Sequence, residues 1–371
     1  MSARPLPTLT LALDPGDTPA CSHAALAAHD PAAGQVTVHP TPGTDHPAGL
    51  AHDVLAALGK PYTPPGRWNT QPALTWAAAA AWAHTTGLNH LILLRGHLLT
   101  PARWHHLLTF QQHTGAHLTV ICHRTPTPAL TRALAHVDHT ITYGLPAYAL
   151  PGPEQHRRPP PARTAPAISL PWLTLPALTY LALTDRPEPP CDCTPPPATA
   201  DRLPIEPPPG RTEEAANRLH RLTHPTHAAA LAAALITGVP FNQLAAATPT
   251  DYHSARATLT LHAPARHRTP ARCAAYRVPA WARPLLDAAT HYHQHRKHPG
   301  PRLLTDTQPA LTTLLQAAEH CRLRPPQDPS GRSRGRFPRP HFPEALPDGP
   351  HWTACIPLPN LPPELQAAAL Q

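Results

Sequence analysis

Apolar residues along this chain fall into short runs separated by proline- and glycine-marked polar stretches. The clearest stretch is LILLRGHLLTPARWHHLLTFQQHTGAHLTVIC, residues 91–122. Leu91–Leu94 is an apolar run of strand length, and Thr100-Pro101 supplies a helix cap and a first helical residue. The spacing then predicts a helix over Ala102–His113, closed by Gly115, and a second strand over Leu118–Cys122. That strand–helix–strand unit is the building block of a parallel sheet with helices on its faces. Around it, Thr8–Leu13, Val36–Val38 and Thr140–Tyr143 read as strands, the first two separated by turns. Helices are expected over His46–Leu58 (capped by Asp45), Pro72–Thr86 and Pro128–Ala135.

The pattern changes over residues 149–211. Proline runs at Pro159-Pro160-Pro161, Pro189-Pro190, Pro195-Pro196-Pro197 and Pro207-Pro208-Pro209 exclude helix and sheet interiors and favour extended segments. This reads as a linker with one apolar docking segment, Ile168–Leu183. Helical periodicity returns over His227–Ile236 and Phe241–Ala247. Arg256–His262 and Cys273–Val278 form a candidate hairpin, and further helices run from Pro279 to about His295 and over Pro309–Cys321. The expected layout is an α/β domain with a parallel sheet (1–148), the Pro-rich linker (149–211), a mainly α domain with a small β-hairpin (212–325) and a Pro/Arg-rich tail (326–371).

Composition adjusts this picture. Among 371 residues, Pro is 56 and His 29, while charged residues are only 14%. Ala, Pro, Thr, His and Arg share C-rich codons, so a C-rich coding strand accounts for the histidines without a metal function. His105-His106 and His291/His295 accordingly read as surface pairs, and no cofactor or metal is expected. The formal charge of +8 permits contact with DNA or another polyanion. Seven scattered cysteines, with only Cys191 and Cys193 close together, do not form a secreted disulfide framework. The N-terminal apolar core is too short for a signal peptide, and Pro171 and Pro176 weaken Ala167–Thr184 as a membrane span. A cytoplasmic location without a membrane partner is the expectation.

Two resemblances carry functional content. The order helix–strand–helix–strand around LILLRGHLLTPARWHHLLTF is similar to the stretch from the magnesium-binding strand onward in AAA-type ATPases, especially transposition-helper ATPases. In that family the strand ends in Asp-Glu; here Arg95 and Gly96 stand in those places. A phosphate loop is also missing, since the only Gly-Lys pair, Gly59-Lys60, has Val54 at the first glycine position and is followed by Pro61.

The second resemblance is to the catalytic domain of tyrosine recombinases (phage integrases), carried by HAAALAAALITGVPFNQLAAATPTDYHSARATLTLH and the later YRVPAWARPLLDAA. Thr237-Gly238-Val239, Gln243-Leu244 and the turn residue Asp251 match that pattern. The first catalytic arginine falls on Pro240, the hairpin has no lysine, and His293-x-x-Arg296 comes too early. Tyr292 is the last tyrosine, so no nucleophile follows.

These readings imply a DNA-associated accessory protein without catalysis, with a mobile element as its suggested setting. Arg256, Arg266, Arg268, Arg272, Arg332, Arg334, Arg336 and Arg339 are the candidate backbone contacts. Arg95, Gly96, Pro240 and Asp251 mark vestigial site positions. The alternatives are an atypical nucleotide site at the Arg95–His97 tip, and a scaffold that recruits a protein partner through the Pro-rich linker.

Overall fold

A computed structural model describes residues 9–43, 45–61, 71–126, 128–144, 171–175, 178, 211–262, 273–296, 302–305 and 310–324. The first half builds a five-stranded parallel sheet from β1 (Leu9–Leu13), β2 (Gln35–Val38), β3 (His90–Leu93), β4 (His117–Cys122) and β5 (His139–Tyr143). Their spatial order is β2-β3-β4-β1-β5. Leu11 lies opposite Val120 on β4 and opposite Ile141 on β5, so β1 sits inside the sheet and β5 at its edge.

Between the strands run α1 (Pro19–Ala27), α2 (Pro47–Ala57), α3 (Pro72–Thr85), α4 (Pro101–Thr114) and α5 (Pro128–Leu134). Each begins on a proline, whose fixed φ suits the first helical position and whose missing N–H is not needed there. The stretch after β1, expected as turns, instead holds α1. It covers one sheet face, where Cys21, Ala25 and Ala28 pack on Ala12, Ile92, Leu94 and Ile121. Helices α2, α3 and α4 pack together as a second layer. This division follows from right-handed crossovers: β1 to β2 travels one way along the sheet, and every later connection travels back. The expected cap of α2, Asp45, is one position early; His46 holds the place, its Nδ1 accepting the Ala48 N–H at 3.3 Å.

The second half contains α6 (Arg211–Leu219), α7 (Pro225–Thr237), α8 (Phe241–Ala246), α9 (Arg283–Gln294) and α10 (Ala310–His320). An antiparallel sheet of β7 (Tyr252–His253), β8 (Thr258–Leu261) and β9 (Ala274–Arg277) lies between α8 and α9. Every residue of α7 is buried, as a helix that is apolar on all sides requires. Within the proline-rich stretch of the sequence, β6 (Leu173–Thr174) pairs in parallel with β10 (Leu323–Arg324). Leu173, Leu175 and Leu178 are buried there, and Arg218 donates to the Pro171 carbonyl at 2.8 Å.

The two halves share a core. Ala77, Ala78 and Ala81 of α3 pack on Tyr292 of α9, and α7 packs on α9 in turn. Trp82 of α3 donates its indole N–H to the Thr223 carbonyl at 2.8 Å, and Lys60 Nζ donates to the His220 carbonyl at 2.5 Å. No helix among the described residues is long and apolar enough to cross a membrane.

Candidate functional site

In an open parallel sheet, ligands bind outside the carboxyl ends of neighbouring strands whose connections leave to opposite faces. Strands β1 and β4 are that pair here. At their ends the structure gathers Asp14, Asp17 and Thr18 after β1, Arg95, Gly96 and His97 after β3, and His123 and Arg124 after β4.

Asp14 N–H donates to the Cys122 carbonyl at 2.9 Å, extending the β1–β4 ladder by one step. The Asp14 carboxylate then turns back to accept the Thr18 N–H at 2.9 Å and the Thr18 hydroxyl at 3.0 Å. It therefore stands at the start of α1, where the helix dipole favours an anion. His123 is buried, with Nδ1 at 3.3 Å from Asp14 Oδ2 and 3.2 Å from Asp17 Oδ1. Its backbone N–H donates to His97 Nδ1 at 3.3 Å, which requires a neutral His97 ring protonated on Nε2. Burial holds the His97 pKa below its usual value, helped by His123, Arg124 and Arg95.

Arg95 and Gly96 lie at the tip of β3. Arg95 takes a left-handed conformation (φ 55°) that turns the chain in against β4. A Cβ on Gly96 would fall 2.1 Å from Val120 Cγ1 and 3.3 Å from Cys122 Sγ. A carboxylate side chain therefore has no room at that position. Cys122 is no nucleophile, since burial raises its thiol pKa to about 12. Lys60 is spent elsewhere, with its amine 3.9 Å above the Trp82 ring. Among the described residues, this crevice places the Asp14 carboxylate at the start of α1 and holds neither a lysine nor a carboxylate at the tip of β3.

The second candidate region begins at α7, which Gly238 ends in the left-handed conformation (φ 61°). Pro240 is the N-cap of α8. Thr248 and Asp251 form a capping box, and Asp251 Oδ1 also meets His262 Nε2 at 3.0 Å. Asp251 thus ties the helical turn to the end of β8. Tyr252 donates its hydroxyl to Asp287 at 3.0 Å, fixing the small sheet to α9. Burial, then Asp287, raises the Tyr252 pKa.

Arg256 is exposed at the end of the Ser254–Arg256 turn. Arg266, Arg268 and Arg272 fall between β8 and β9; together with Arg332, Arg334, Arg336 and Arg339 they lie outside the described residues. His293 and Tyr292 belong to the interior. His293 Nε2 meets the Leu303 carbonyl at 3.0 Å, and the Arg296 guanidinium lies 5.5 Å from the Tyr292 ring centre. The His-x-x-Arg spelling is therefore a packing feature of α9.

Sequence reasoning placed His97 at the tip of β3 but missed Asp14, Asp17 and His123 beside it. The available signal was Asp14-Pro15-Gly16-Asp17 directly after an apolar strand. No cluster of three or more His, Cys, Asp or Glu among the described residues is arranged to hold a metal ion. No family model, curated protein or solved structure matches the chain.

Proposed function

We propose that this is a non-catalytic DNA-associated accessory protein, in which a degenerate α/β domain supports a basic hairpin module. One observation carries the reading. Strands β8 and β9 pair antiparallel with Leu261 opposite Ala274, so both ends of the connecting segment meet at one end of the small sheet. That segment, HAPARHRTPAR, has three arginines and no acid, and exposed Arg256 belongs to the same module. Arginines in such a segment hold phosphates without reading bases. At the β1–β4 crevice, the close approach of Gly96 to Val120 leaves no room for a β3 carboxylate, which supports the non-catalytic half of the reading.

Titration of the full chain with duplex DNA over a range of salt tests it. Affinity should fall steeply with salt, and R266A/R268A/R272A should lower the log–log slope by about 3, or roughly one for each phosphate that an arginine no longer neutralises. Absence of binding at low salt, or an unchanged slope in the triple variant, rejects the proposal. A second reading, an atypical nucleotide site, draws on the polar cluster at the carboxyl ends of the strands. It requires millimolar ATP with magnesium to raise the melting temperature, because a ligand of the native state alone must stabilise it.

A further inference from the structure

Four imidazoles from three helices meet beside the α3–α9 contact. His84 stands in the last turn of α3, His113 in the last turn of α4, and His291 and His295 at the end of α9. His84 stacks on His291 with ring centres 4.9 Å apart and on His295 at 5.2 Å. His113 stacks on His295 at 4.9 Å. His84 Nε2 also lies 3.0 Å from the His113 carbonyl. The stack borders the buried cluster of Ala77, Ala78, Ala81 and Tyr292 that joins the halves. His113 is exposed and the other three are partly exposed, so protons reach the rings without global unfolding.

We propose that this stack is a proton-operated clasp: neutral, it holds the end of α9 against α3 and α4, and two protons in it drive that end away. Neutral imidazoles stack favourably, whereas two imidazolium rings at this spacing repel. The groups acting on His295 are His113 of α4, His84 of α3 and His291 of α9, and no described carboxylate is among them. Arg296, just beyond α9, adds a further positive charge over Tyr292. Asp287, earlier on α9, accepts from the Tyr252 hydroxyl. On α4, His106 stacks on Trp76 and Arg103 acts on Asp53. At the cap of α7, His224 meets Tyr292 and stacks on His227.

Once one ring carries a proton, a second proton meets a like charge on its stacked neighbour. Burial, then its three neighbours, brings the His295 pKa down to about 4. A folded value below the unfolded one means the clasp is complete above about pH 6.5 and lost as pH falls towards 4.

Hydrogen exchange of the full chain at pH 7.5 and 5.0, corrected for intrinsic rates, tests the clasp. Protection of peptides over 72–86 and 283–296 should fall at pH 5.0 at least tenfold further than that of 117–122 in the sheet. The H84Q/H295Q variant should lose this excess. An equal loss in the sheet, or the same excess loss in the variant, overturns the proposal. If the variant does not fold at pH 7.5, the NMR titration of His295 in the native chain decides. A midpoint well below 6.5 supports the clasp, and one at or above 6.5 overturns it.

Discussion

At the scale of single residues, Gly96 and Lys60 show how neighbours distant in sequence set a local choice. Gly96 faces Val120 so closely that Gly96→Ala should destabilise the fold by about 1–3 kcal/mol, measured by urea unfolding. Gly96→Asp should be at least as damaging, since a carboxylate needs still more room than a methyl group. Lys60 is buried over Trp82, and burial brings its pKa down to about 7. Between pH 10.5 and 7 the unfolded chain takes up a proton that the folded chain resists. Stability should therefore fall as pH drops through that window, by up to about 1.4 kcal/mol per unit. Lys60→Met should remove that slope in thermal melts without weakening the fold at pH 7. The sequence showed Arg95-Gly96 as unusual but not why, because Val120 belongs to the next strand. Lys60 stood out only in a Gly-Lys pair that fails as a phosphate loop, since nothing beside it announces Trp82 or His220.

At the scale of elements, proline was the most legible signal. Helices α1 to α5 and α7 all open on it, and most boundaries follow from that rule together with Gly115 and Gly238 at helix ends. Helix α1 escaped because its apolar positions are mostly alanines, which leave little contrast between faces. The same ambiguity hid the partner of α3. Ala77 to Ala83 form no stripe, so the sequence indicates burial without indicating against what. The small side chains let α9 approach closely, and a larger one cannot be absorbed there. Ala78→Leu should cost about 1–3 kcal/mol. If α3 and α9 unfold as one unit, circular dichroism from the helices and fluorescence from buried tryptophans should shift by the same amount.

For the whole molecule, composition marks the proline-rich stretches but not which surfaces meet. The proline runs of 149–211 divide the sequence, yet Tyr292 lies in a core with α3 and Trp82 reaches Thr223. Calorimetry of the full chain should therefore show the sheet and the helical half melting in one transition near neutral pH. That transition should be sensitive to acid. Burial is the leading cause that lowers His90, His220 and His295 to about 4 and His224 to about 3. Each is neutral in the fold and protonates near 6.5 when unfolded, so the melting temperature should drop progressively from pH 6.5 towards 4.

The prolines that open the helices also bear on the speed of folding. In the unfolded chain each X–Pro bond samples cis and trans independently and exchanges over tens of seconds. With six helices starting on such bonds, a large share of denatured molecules carries at least one wrong isomer at a helix start. Refolding of that share is then paced by isomerisation rather than by collapse, and a prolyl isomerase should accelerate it.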